Sequence, residues 1–294
     1  MRDRFFYKDH LYFFDHRFNH IHYIKAKRIF ILSKDMQTLS PWFFPLTPNT
    51  QSTKLRLFTF HYAGGSASIF RSWAQDLKSP VEIISIQLPG RETRFTETPF
   101  YDLKSLVEDL LKSFPIYFDK PFIFFGHSIG SFVSFEFARI LRRKKYPLPQ
   151  HLIVSGARAP HLPLRRKKLH NLPEEDFILE LFSYNGIPSA LLENRDILNL
   201  FIPMIRADFT VSETYHYIEE DSLQCPISAF GGAKDPHVSR EEVSSWESYT
   251  NAAFNSCFFK GDHFFLLKDS YQEVVRTVDK IIFEELKKSS LTKS

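Results

Sequence analysis

From Leu55 onward the chain repeats one pattern: a short β-branched, aliphatic or aromatic run, a turn, then a longer stretch with apolar residues at helical spacing. Strands that alternate with helices run parallel, because each helix carries the chain back to where the next strand begins. The expected strands cover residues 55–60, 81–87, 122–125, 152–155, 227–230 and 257–259. Between them, Leu103, Leu106, Val107, Leu110 and Leu111 share one helical face, as do Val274, Val275, Val278, Ile281, Ile282 and Leu286. Ser239 and Glu242 have the spacing of a capping box, opening a helix that includes Val243 and Trp246. The segment 162–223 breaks the rhythm, holding several helical patterns and no strand. The expected fold class is therefore α/β, a mostly parallel sheet flanked by helices, with 162–223 as a helical lid insertion over the site.

Glycine is scarce, with ten in 294 residues, against a usual frequency of about 7%. Nine of the ten are expected just beyond a strand: Gly64 and Gly65, Gly90, Gly126 and Gly130, Gly156, Gly231 and Gly232, and Gly261. Gly186 lies in the lid segment. The carboxyl edge of an open α/β sheet is where ligands bind, and there the backbone must turn sharply or approach a substrate closely. Any strand-to-helix turn favours glycine, so the set carries more weight than its members.

Gly126-His127-Ser128-Ile129-Gly130 reads G-x-S-x-G, directly after one expected strand and before the helical run 131–141. That context is a nucleophile elbow, the tight turn that exposes a serine above an α/β-hydrolase sheet. Such a serine needs a base and an orienting acid, in the chain order Ser, Asp, His. Asp235 follows the fifth expected strand and His263 the sixth, so both stand on the same edge as Ser128. Asp262 adjoins His263, but neighbouring side chains in an extended segment diverge. For the same reason His127 is expected to pack rather than reach the Ser128 hydroxyl. His237 is a weaker candidate base. The oxyanion hole should combine the Ile129 N–H with one from the loop His61-Tyr62-Ala63-Gly64-Gly65-Ser66.

Several stretches resemble the type II, or external, thioesterases of nonribosomal peptide and polyketide synthases, and the related fatty-acid synthase thioesterases. They include Tyr62-Ala63-Gly64-Gly65-Ser66-Ala67, Leu88-Pro89-Gly90-Arg91-Glu92, the elbow, Val154 through Pro160, Gly231-Gly232 with Asp235-Pro236, and Gly261-Asp262-His263-Phe264-Phe265. The resemblance implies an α/β-hydrolase fold with Ser128 as nucleophile, His263 as base, Asp235 as its partner, and Ala63 with Ile129 as oxyanion donors. It implies hydrolysis of acyl thioesters from the phosphopantetheine arm of an acyl or peptidyl carrier protein, with no cofactor or metal. Two positions depart from the pattern: family members commonly carry proline where His61 stands and methionine where Ile129 stands. Rival readings of the same triad are a small-molecule carboxylesterase and an acyltransferase. A catalytically dead binding module is disfavoured because all three triad positions are filled.

Formal net charge is +4 and resides in residues 1–35, with eight basic and four acidic residues; the remainder carries thirty of each. A neutral domain argues against nucleic acid as partner. Residues 1–35 match nothing in the family pattern, and are expected to be an extension or a misassigned translation start ahead of a 36–294 thioesterase domain. Their nine aromatics and four histidines offer a membrane- or partner-binding arm as the alternative. Two cysteines, Cys225 and Cys257, and no apolar run long enough to span a bilayer lead us to expect a cytoplasmic protein. Because carrier proteins are usually acidic, the basic runs Arg165-Arg166-Lys167-Lys168 and Arg142-Arg143-Lys144-Lys145 are docking candidates, the second weaker because cations already suit a helix C-terminus.

Overall fold

Among the described residues seven strands form one sheet: β1 (Phe43–Pro45), β2 (Arg56–Phe60), β3 (Glu82–Ile86), β4 (Phe122–His127), β5 (His151–Ser155), β6 (Ile227–Gly232) and β7 (Phe254–Phe259). Their spatial order is β1-β3-β2-β4-β5-β6-β7. β1 runs antiparallel to β3 and every other neighbouring pair is parallel. The helices are α1 (Trp73–Asp76), α2 (Leu103–Ser113), α3 (Ile129–Arg143), α4 (Glu174–Ser183), α5 (Arg195–Glu213), α6 (Arg240–Ser244) and α7 (Tyr271–Leu291). This computed structural model describes residues 40–50, 52–183 and 195–291, so the expected 1–35 extension lies outside the described residues.

All six expected strands are present, with three differences. β1 was not anticipated, because three residues, the last of them a proline, carry no alternation to read. β4 extends through Gly126 and His127, and β6 through Gly231 and Gly232. Those three glycines therefore end strands rather than follow them. The reason is pairing: Gly126 is opposite Phe60 on one side and Val154 on the other, so the ladder continues on both flanks. β7 begins three residues early, at Phe254, because its pairing with β6 already starts there, opposite Ile227, and an edge strand tolerates the exposed Asn255. The capping box is present, but α6 stops at Ser244, and Trp246 lies in a following 3₁₀ turn.

Alternation along the central strands sends side chains to two cores. One face carries Leu57, Ile83, Ile123, Phe125 and Ile153 against Trp73, Val274, Val278 and Ile282. The other carries Phe58 and Phe124, which pack with Phe114 and Phe137 in tilted and edge-to-face contacts 4.8–6.0 Å between centroids. Much of the phenylalanine in this chain is thus core, each buried ring contributing about 1.5–3 kcal/mol. Among the described residues no helix is long and apolar enough to cross a membrane.

Candidate active site

Ser128 joins β4 to α3 with φ 57° and ψ −119°, an unfavourable conformation for a residue with a Cβ. Its surroundings hold it there. The Ser128 N–H donates to the Ser155 carbonyl at 2.7 Å, and the Ser131 N–H donates to the Ser128 carbonyl at 3.0 Å. Ser131 Oγ donates to the Gly126 carbonyl at 2.8 Å and accepts from the Ser155 N–H at 3.0 Å. The two motif glycines are there for close approach. A Cβ on Gly126 would sit 2.1 Å from the Gly130 carbonyl oxygen, and one on Gly130 would sit 2.2 Å from that of Phe60.

Asp235 and His263 meet across the ends of β6 and β7. His263 Nδ1 donates to Asp235 Oδ2 at 2.7 Å, while Asp235 Oδ1 accepts the N–H groups of His237 at 2.8 Å and Val238 at 3.3 Å. The Asp235 side chain is fully buried and that of His263 nearly so. Burial opposes the carboxylate charge, but the hydrogen bond and attraction from His263, with the His237 N–H, outweigh it and lower the Asp235 pKa. With its proton on Nδ1, the ring has Nε2 as the nitrogen able to accept another.

The rival residues have other duties. His127 is fully buried. Its Nε2 lies 3.0 Å from the His263 carbonyl and its Nδ1 lies 2.8 Å from Ser155 Oγ. A carbonyl only accepts, so Nε2 carries the proton and Nδ1 accepts from the serine. Burial and the nearby His263 keep this ring neutral, its pKa well below the ordinary value. His127 thus ties the residue before the candidate nucleophile to the backbone of the candidate base. Asp262 accepts from the Phe264 N–H at 2.8 Å, capping its own turn. His237 stands edge-on to His263 with centroids 5.8 Å apart, and burial with His263 repulsion pulls its pKa down to about 4.

The N–H groups of Ala63 and Ile129 have no hydrogen-bond partner among the described residues. Ile129 is the first residue of α3, where helix geometry leaves N–H groups unpaired. The loop bearing Ala63 is held by residues that sequence reading did not assign. Asp208, on α5, accepts the Gly64 N–H at 2.8 Å and forms a two-pronged buried ion pair with Arg91, both contacts 2.8 Å. Arg91 also donates to the Gly65 carbonyl at 3.0 Å. Arg91 stood in a family-like stretch without a role, and Asp208, 144 residues from Gly64, left no local signal.

Within the described part of 162–223, α4 and α5 pack together through Phe177, Ile178, Leu198, Ile202, Ile205 and Phe209, with Ala63 against them. Glu213 closes the base of this insertion, accepting from the N–H groups of Leu169 and His170 and pairing with Arg166. Four of the eight cations in the two basic runs are engaged within the fold: Arg142 and Arg143 with Glu220, Arg165 with Glu242, and Arg166 with Glu213.

A mostly parallel sheet with a strained serine at a strand-to-helix elbow, and a buried Asp–His pair on the same edge, defines an α/β-hydrolase fold. A family model for the thioesterase domain matches residues 55–282. The gramicidin S biosynthesis protein GrsT of Aneurinibacillus migulanus is 40% identical over 236 residues, 80% of this chain and 92% of that protein. The medium-chain S-acyl fatty acid synthase thioesterase of Rattus norvegicus is 33% identical over 242 residues, 81% of this chain and 90% of that one. Among solved structures, RedJ, a thioesterase from the prodiginine pathway of Streptomyces coelicolor, has a TM-score of 0.75 at 33% identity, covering 83% of this chain and 95% of that one. The chain belongs to the thioesterase family, and it is a thioester hydrolase.

Proposed function

We propose that the protein hydrolyses acyl thioesters delivered on the phosphopantetheine arm of an acyl or peptidyl carrier protein, with Ser128, His263 and Asp235 as its triad. One observation carries this reading: the buried Asp235–His263 hydrogen bond, on the sheet edge where the elbow presents Ser128. As Ser128 Oγ attacks the thioester carbonyl, its proton passes to His263 Nε2. The Ala63 and Ile129 N–H groups donate to the oxygen that gains negative charge, each worth about 2.7–4 kcal/mol in the transition state. The C–S bond breaks and the thiol leaves with the proton from His263. Water then gives a proton to the same nitrogen and attacks the acyl-serine; Ser128 recovers its proton and the acid departs. Asp235 stays ionised throughout, holding the imidazole and stabilising its cation.

The similarity to a gramicidin S biosynthesis protein and to a prodiginine-pathway thioesterase supports a role in editing or product release beside a synthase, and we place that role in the cytoplasm. The test is turnover of a carrier-bound acyl thioester by the wild type and Ser128→Ala. A loss of at least about 10³-fold in kcat is expected. Retained turnover in Ser128→Ala, or a large preference for free p-nitrophenyl esters over the carrier thioester, overturns the proposal. Acyl transfer to added alcohols or amines in preference to water would do the same.

A further inference from the structure

His61 sits two residues before Ala63, just past the end of β2, and is 2% exposed. Its Nδ1 lies 2.9 Å from the Tyr62 carbonyl oxygen, while its buried Nε2 has no hydrogen-bond partner among the described residues. Because a carbonyl oxygen only accepts, Nδ1 carries the proton. Burial, reinforced by repulsion from Arg91, pulls the ring pKa down to about 4, against the attraction of Asp208 and the Tyr62 hydrogen bond, so at neutral pH Nε2 is a bare acceptor. His61 lines a cavity of about 10 Å³ with Phe60, Ile86, Leu88, Gly130 and Val133, surroundings that offer that nitrogen little. A buried polar atom left unmatched in an apolar wall calls for a reason, since leucine would fill the same place without that penalty. The reason lies at the opposite nitrogen.

The Tyr62 carbonyl receives a second donor, the Gly65 N–H at 2.9 Å. That carbonyl and the Ala63 N–H belong to one planar trans peptide and point in opposite directions. Two donors on the oxygen therefore fix where the Ala63 N–H points. The rest of the loop is held by other groups, Gly64 by Asp208 and the Gly65 carbonyl by Arg91. Gly130 presses against the Phe60 and His61 carbonyls from the elbow side, so the same stretch of backbone also sets the distance to Ile129.

We propose that His61 is a positioning residue for the oxyanion hole: protonated at Nδ1, it clamps the Tyr62–Ala63 peptide so that the Ala63 N–H faces the oxygen of the reacting carbonyl. This rests on the roles proposed above for Ser128 and Ala63. His61 touches no substrate, so its effect belongs in kcat rather than KM.

The experiment compares full-length wild type with His61→Asn, whose amide N–H falls where Nδ1–H does, His61→Gln, which displaces the donor by one methylene, and His61→Leu, which lacks it. Hydrolysis of an acyl-N-acetylcysteamine thioester is measured per active site, with active sites counted by fluorophosphonate titration so that misfolded protein does not register as slow turnover. His61→Asn should stay within about threefold of wild type, while Gln and Leu lower kcat by about 10–100-fold with KM within about twofold. Affinity for a trifluoromethyl ketone, which binds as an oxyanion, should fall by the same factor as kcat/KM. Wild-type kcat in the Gln and Leu variants, or Asn falling as far as they do, overturns the proposal. If His61→Leu does not fold, the Asn and Gln pair decides alone. Ser128→Ala runs in parallel: if it remains active, the proposed function fails, whereas an inactive Ser128→Ala beside unaffected His61 variants removes only the inference about His61.

Discussion

The carboxyl edge of the sheet and the helical insertion above it are held together by different means. At the edge, backbone does the holding: Ser128 is pinned through its own N–H and carbonyl, and the glycines at 126 and 130 sit where a single methyl group would collide with a peptide. In the insertion, side chains do it: a cluster of apolar residues between α4 and α5, plus two buried carboxylates, Asp208 and Glu213, that reach back to backbone N–H groups elsewhere. Backbone constraints tolerate almost no substitution, whereas packed side chains tolerate volume-conserving change. The edge should therefore be brittle and the insertion forgiving, except where it touches the edge through Asp208.

The sharpest contrast is a single substitution to alanine in each region. Gly130→Ala places a Cβ on the Phe60 carbonyl, and relief requires moving β2 or α3. We expect loss of several kcal/mol of stability or failure to fold. Leu179→Ala, at a largely exposed position of α4, should change stability by no more than about 0.5 kcal/mol. Thermal melts of both variants check this, and comparable shifts would erase the distinction between the regions.

Asp208→Ala tests the seam. It strips Arg91 of its partner inside the protein and releases the Gly64 N–H, and breaking a buried pair in this way costs about 3–5 kcal/mol. Stability and kcat should fall together, with Asp208→Asn intermediate because an amide oxygen can still accept from Gly64. A variant with lowered melting temperature but unchanged kcat per active site would show that the insertion stabilises the oxyanion loop without shaping it.

Acid should act on the edge first. His61, and still more strongly His127, have folded pKa values depressed below about 6.5, the value of an unfolded histidine. Between about pH 6.5 and 4 the unfolded chain binds more protons than the folded one, so stability rises with pH in that window and is lost as pH falls through it. For His61 the drop from above pH 7 to pH 4 is about 3 kcal/mol. Asp235, whose pKa is lowered from its usual range, adds the same sense of dependence at lower pH. Melting temperature against pH should therefore be flatter in His61→Asn than in wild type, and an unchanged slope would remove His61 from the acid response.

The same difference governs what could be read from the chain. Ser128, Asp235 and His263 stood out as candidates because each sits at the end of a strand whose apolar run announces it, and the capping box was legible because Ser239 and Glu242 lie only three positions apart. His61 was visible as a departure from the family pattern, but its role depends on the direction of a peptide plane, which no residue type encodes. The Arg91–Asp208 pair spans 117 positions, and Glu213 reaches back more than forty to Leu169 and His170. A long-range ion pair has no period and no spacing. β1 was missed for the opposite reason: it is so short that pairing with β3, not its own sequence, makes it a strand.

The two basic runs give the smallest expected effect and the one that bears on the carrier. In each, the arginines are spoken for within the fold and the two lysines are exposed, so the contest is between Lys144 with Lys145 and Lys167 with Lys168. Lys144 and Lys145 follow the C-terminus of α3, whose fifteen residues start at the elbow, so they lie roughly 20 Å along the helix from Ser128 and already complement its dipole. Lys167 and Lys168 immediately precede Leu169, which is part of the core of the insertion above the candidate site. If an acidic carrier docks at the mouth of the site, Lys167→Glu with Lys168→Glu should raise KM for a carrier-bound thioester by about 3–10-fold, an effect that fades as salt screens it. The KM for an acyl-N-acetylcysteamine thioester and both kcat values should stay put. The Lys144→Glu, Lys145→Glu pair should shift the carrier KM by no more than about twofold, and the reverse ranking would move the docking surface from the insertion to the far end of α3.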